Sequence, residues 1–194
     1  MRSRLALVVC VAALGCHSVG PPPSPAGLHR VAVFPPVNRT GQDLLVTGGS
    51  LLERYAFATP RTDVPGVLGI ALRAELTRRG IAVVPAAIVE AAAGSQTVAT
   101  ADAAAALMRR GHVTEPLLFV AVDRWEPDAP TEPTFVIVAL DATLVEPETG
   151  AVRWHWHRRA APVRTAGAVT RASAYEIAVD AVAAELLRSW GTAP

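Results

Sequence analysis

The chain has 194 residues, with 18 Lys plus Arg against 17 Asp plus Glu and a formal net charge of +1, which excludes the strongly basic footprint of a nucleic-acid binder. Hydrophobic residues make up 51% and charged residues 18%, enough to build a core and too apolar for a disordered chain. Every cation is Arg, a compositional bias rather than a functional signal, and the length fits one domain.

The N-terminus reads as an export signal over residues 1–15. Arg2 and Arg4 supply a positive start, Leu5 to Leu14 a short apolar stretch, and Gly15-Cys16 follow where a signal peptidase cuts. The apolar stretch falls well short of the roughly 20 residues that a bilayer-spanning helix needs. Cys10 leaves with the signal, so Cys16 is the lone thiol of the mature chain and no internal disulfide is possible. Acylation of Cys16 accounts for that thiol and supplies an anchor. Residues 16–27 then form a tether rich in Pro, Gly and Ser, with a reach of about 30 Å if partly in polyproline II. The globular domain is expected over 28–190, with 191–194 as a tail.

Arg30 to Phe34 is a β-rich run stopped by Pro35-Pro36, the first expected strand. A long loop follows, and its segment Gln42–Asp63 is expected as a packed loop or short helix. Asp63 and Pro65 start a helix along Val67, Leu68, Ala71, Leu72 and Leu76 that closes at Arg78-Arg79-Gly80. Ile81 to Val84 reads as a strand, Ala86 to Ala93 as a short helix, and Thr100 to Arg110 as a helix with Asp102 in its first turn and Gly111 past its end.

Leu117 to Trp125 and Thr134 to Val145 are apolar on both alternating sets, the mark of central strands. The connection Glu126–Pro133 is acidic and Pro-rich. Glu146-Pro-Glu-Thr-Gly150 reads as a hairpin loop leading into Ala151 to Arg159, so three strands form an antiparallel meander. On the last, Val152, Trp154 and Trp156 point one way and Arg153, His155, His157 and Arg159 the other. Tyr175, Val179, Val182 and Leu186 form one stripe of a C-terminal helix over about 169–190. The expected fold is α/β (α+β): a mixed sheet of about five strands in the order β-α-β-α-β-β-β-α, with helices mainly on one face and a C-terminal helix.

Three stretches carry a resemblance to known proteins. Ala13-Leu14-Gly15-Cys16 resembles the bacterial lipobox, in which the Cys becomes the lipidated first residue. Val31-Ala-Val-Phe-Pro-Pro-Val-Asn-Arg-Thr-Gly41 is similar to the opening strand and turn of periplasm-facing lipoproteins, and Asp141 to Trp154 looks like their penultimate hairpin. The group includes the curli-secretion channel lipoprotein, lipoprotein activators of penicillin-binding proteins, and small lipoproteins of unassigned function. Its scaffold resembles the anticodon-binding-like domain at the N-terminus of TolB. The resemblance implies docking on other envelope proteins or on copies of itself. No clear pair of amphipathic membrane-inserting hairpins, which a secretion channel needs, is evident, and Gln42–Asp63, with Val46, Leu51, Leu52, Tyr55 and Phe57, is the only segment where one could lie.

The chemistry-bearing patterns are sparse. His155 and His157 share a strand face, and His112 or Asp141 could join them, but a metal site needs three or four ligands and the pattern fits surface histidines better. Trp154 and Trp156 read as core rather than a ligand platform. The acids Glu126, Asp128 and Glu132 lie on a Pro-rich loop, where solvated carboxylates outnumber catalytic pairs. Asn38-Arg-Thr40 fits a glycosylation sequon but reads better as a turn. No nucleophile elbow, phosphate loop, dinucleotide fingerprint or zinc-protease pattern occurs. Neither an enzyme, a metal nor a cofactor is expected.

These readings converge on a lipid-anchored protein that acts as a non-catalytic protein-binding or assembly module. It is expected to bind the membrane through Cys16 and to bind an envelope protein or itself, with no nucleic acid. His17 lacks the acidic character associated with inner-membrane retention, which favours the outer membrane facing the periplasm. The candidate contacts are Asn38, Arg39, Arg153, His155, His157 and Arg159. An alternative is a lipoprotein that handles lipopolysaccharide or other lipids, with Arg contacting phosphate.

Overall fold

The opening strand, β1 (Arg30–Val33), is apolar on both sides, and both sides are buried. In the computed structural model, which describes residues 27–47, 61–130 and 132–190, Val31 and Val33 enter one core while Ala32 and Phe34 enter another. Proline has no N–H to donate, so pairing pauses at Pro35-Pro36 and resumes in β2 (Val37–Asn38). The expected export signal, Cys16, the expected tether up to residue 26 and the tail 191–194 lie outside the described residues.

The chain continues through β3 (Leu45–Thr47), β4 (Arg61–Asp63) and α1 (Val64–Arg78), then β5 (Ala82–Val83), α2 (Ala86–Ala93) and α3 (Ala101–Arg110). It ends with β6 (Leu117–Pro127), β7 (Phe135–Val145), β8 (Val152–Arg164) and α4 (Arg171–Arg188). The main sheet runs β5-β1-β6-β7-β8, with β2 also against β6. β1 lies parallel to β5 and β6, while β6, β7 and β8 form the expected antiparallel meander. The fold is the expected mixed α/β (α+β) sheet with a C-terminal helix.

Local chemistry explains the helix ends. The Asp63 carboxylate accepts from the Gly66 N–H at 3.1 Å and so caps α1, while Val64, Leu68, Leu72 and Leu76 recur on its buried side. Thr170 and Ser173 cap α4 reciprocally. The expected stripe of Tyr175, Val179, Val182 and Leu186 is buried, and Trp154 meets Trp190 edge-on at 5.6 Å. Trp154 is therefore core, as its alternation implied.

The two long helices, α1 and α4, share one face of the sheet. The shorter α2 and α3 lie on the other, packed on Ala32, Phe34, Leu117, Phe119, Ala121 and Val145. They cover the β5-β1-β6 half and leave the outward side of β7 and β8 open over Asp141, His155 and His157. No helix among the described residues is long and apolar enough to cross a membrane.

Three expectations change. The segment 42–63 was expected as a packed loop or short helix, but its described ends pair as an antiparallel ribbon, Leu45 opposite Asp63; residues 48–60 lie outside the described residues. β8 continues to Arg164, five residues past the expected end. Its register also slips twice. One slip, at Arg153, releases Val152 from the inward set, leaving it 56% exposed. The other lies just past Arg158, where Val138 faces Ala161 and Leu140 faces Arg158; Arg158 keeps the inward side of Trp154 and Trp156, and the extra residue shifts the alternation beyond it so that Val163 turns inward. Arg158 is buried and fills the slip: its guanidinium donates to the carbonyls of Val138 and Ala161 and meets Glu185 at 3.1 Å.

Candidate interaction surface

The open face is organised by a turn and a bulge. The Asn38 side chain accepts from the Thr40 N–H at 3.0 Å and its hydroxyl at 2.7 Å, and donates to the Gln42 carbonyl at 2.7 Å. Asn38-Arg39-Thr40 is thus a turn, as its sequence implied, and Asn38 holds it closed by local side-chain bonds. That turn presents Arg39 to the sheet. In β6 the register shifts between Val122 and Arg124, which makes Asp123 the extra residue and lets it meet Arg39 at 2.9 Å.

The Arg39 guanidinium also reaches Asp141 Oδ2 on β7 at 3.2 Å. The other carboxylate oxygen of Asp141 faces His157 Nδ1 at 3.0 Å and His155 Nε2 at 3.4 Å on β8. A continuous row results, Arg39 to Asp123 and Asp141 to His155 and His157, crossing from β2 to β8. Burial pushes the Asp141 carboxyl up. The His157 hydrogen bond and the charges of His157, His155 and Arg39 outweigh that and hold it below the usual range. At one end of this face Arg153 pairs with Glu146 at 3.0 Å, and along β6 Arg124 pairs with Glu126 at 2.6 Å. Arg159 is exposed beside the second slip of β8.

Three of the six expected contact residues therefore converge: Arg39, His155 and His157. Arg153 and Arg159 share the same side of β8, while Asn38 serves the turn. Two members were missed as contacts. Asp141 had been weighed only as a metal ligand, and Asp123 only its charge within an apolar strand could have marked. Among the described residues no cluster of three His, Cys, Asp or Glu side chains is arranged to hold a metal. The row is a flat network in which acids and bases satisfy one another, with no nucleophile set against a base.

No protein-family model and no curated protein sequence matches the chain. Among solved structures it aligns with the PelC dodecamer of Paraburkholderia phytofirmans at TM-score 0.51 and 17% identity, over 90% of this chain and 95% of that one. It aligns with lipoprotein GNA1162 of Neisseria meningitidis at TM-score 0.48 and 17% identity, over 83% and 98%. The LpoB C-terminal domain of Salmonella enterica aligns at TM-score 0.42 and 16% identity, over 75% and 87%. At such identities what the chain shares with the PelC dodecamer is the fold.

Proposed function

We propose that the chain is a lipid-anchored, periplasm-facing envelope protein, held in the outer membrane through Cys16, whose 28–190 domain binds a protein partner or itself without catalysis. The observation that carries this reading is the charged row on the uncovered half of the sheet. A sheet face of central strands is normally covered, and here helices cover only part of it. The row holds its charges in fixed, mutually paired positions, so a partner can cover them without stranding a single ion, the costly case in any interface. The shared fold supports the same reading, since PelC is a dodecamer. The export signal and lone Cys16 support the anchor.

The test is membrane fractionation and intact mass of the full-length chain against Cys16→Ala in a Gram-negative host, followed by crosslinking. The expected result is an acyl mass gain lost in the variant, with crosslinked neighbours or copies. A soluble, unmodified protein in both cases rejects the anchor. Charge reversal by Arg153→Glu with Arg159→Glu is expected to abolish crosslinking without unfolding, and unchanged crosslinks would remove this face from the reading.

A further inference from the structure

Where β7 begins and β8 ends, a cavity of about 630 Å³ opens at the far end of the same half-sheet, within the roughly 300–1,000 Å³ typical of ligand sites. Phe135, Pro133, Pro162 and Ala168 give it an apolar lining. Val136 and Val163 point into the core, so alternation turns Phe135 and Arg164 to the uncovered side. These two are directly opposed across the strands, which puts their Cβ atoms about 5 Å apart.

The walls are pinned. The Asp128 carboxylate accepts from the Thr134 N–H at 3.0 Å, the Thr134 hydroxyl at 2.6 Å and the Phe135 N–H at 3.3 Å. The Thr165 hydroxyl donates to the Pro133 carbonyl at 2.8 Å, and its N–H donates to the Thr134 carbonyl at 3.0 Å. Arg164 is exposed and has no hydrogen bond or ion pair among the described residues, and Glu132, the one carboxylate of the lining, does not pair with it.

We propose that this cavity anchors a partner's peptide segment in which an apolar side chain stands next to a carboxylate, the apolar group on Phe135 and the carboxylate on Arg164. The inference rests on the protein-binding reading above. The cross-strand spacing suits an apolar group and a charge that lie close together, as at a peptide C-terminus or an apolar-acidic pair. An acyl lipid instead carries its charge at the end of a long chain rather than beside a compact apolar side chain. Asp123 and Asp141, farther along the face, also disfavour a surface dense in phosphate.

The probes are N-acetylphenylalanine as the free acid and as the amide, titrated by saturation-transfer NMR into the full chain carrying Cys16→Ala. The acid is expected to bind about tenfold more tightly than the amide, the size of one charge-assisted hydrogen bond. Arg164→Gln is expected to erase that preference and leave amide binding unchanged. Ala166→Trp, at an exposed lining position, is expected to abolish binding of both without altering the circular dichroism melt. Equal binding of acid and amide, or binding that survives Ala166→Trp, overturns the proposal. So does tighter binding of dodecyl phosphate that Ala166→Trp abolishes, which assigns the cavity to lipid. In membranes, crosslinks that persist in Ala166→Trp reject this site and leave the protein-binding reading standing; a wild type that crosslinks to nothing rejects that reading itself.

Discussion

Replacing Arg158 by Met isolates the role of the guanidinium in the β7–β8 slip. The side chain is 9% exposed, and its donors reach the carbonyls of Val138 and Ala161 as well as Glu185. Met keeps an unbranched apolar stem but has no donor, so a buried carbonyl is stripped of its partner at about 1–3 kcal/mol. Glu185 is 42% exposed and rehydrates, which adds under about 1 kcal/mol. The expected loss is about 1–4 kcal/mol, a fall in Tm of roughly 2–16 °C for a domain of this size. Urea unfolding followed by tryptophan fluorescence should show a lower midpoint at unchanged slope. Glu185→Gln should cost under about 1 kcal/mol. If Arg158→Met stays within about 0.5 kcal/mol of the wild type, the carbonyl contacts are not what secures the slip. If Glu185→Gln matches its loss, the ion pair is the source instead.

Gly111 lies where α3 meets α2, and a Cβ there would sit 2.3 Å from Ala92 Cβ and 2.9 Å from Ala92 Cα. Gly111→Ala should therefore cost about 1–3 kcal/mol by overpacking, and Ala92→Gly in the same chain should recover part of it in urea titrations. Thr170→Ala removes the side-chain bonds that cap α4 and should cost about 1 kcal/mol by thermal melting. The Arg78 hydrogen bond holds the Glu75 carboxyl down, to about 2, against the smaller opposing effect of burial and with help from Arg79. A depressed carboxylate stabilises the fold above its unfolded pKa and loses that contribution as pH falls through its folded pKa. Glu75→Gln should accordingly trail the wild type by under about 1 kcal/mol at pH 7, with the gap closing between the ordinary value of 4.5 and about 2 in melts across that range.

Elements whose period stands alone were legible. The α1 cap at Asp63, the stripe of α4 and the β6-β7-β8 meander follow from residues close in sequence. The second face was legible only in part, because Ala86 to Ala93 and Ala101 to Arg110 carry small residues whose side of the sheet no local pattern specifies. What escaped is non-local. A register slip arises from two strands together, so no feature of β8 alone shows that Val152 leaves the inward set or that Val163 enters it. The candidate row was legible as its separate basic side chains Arg39, His155 and His157. Its joining carboxylates were not, since Asp123 and Asp141 lie far from the residues they bind and meet them only through strand order.

Each rim of the sheet is a template on which a foreign strand can grow. At one rim β5 is two residues long. At the other, β8 is long, but it slips at Arg153 and again beside Arg159, and Pro162 removes a backbone donor between them and its end. Strand-by-strand growth therefore meets an interrupted ladder at both rims. When copies of the chain meet, these interruptions direct their encounters away from edge-to-edge aggregation and toward the faces of the fold.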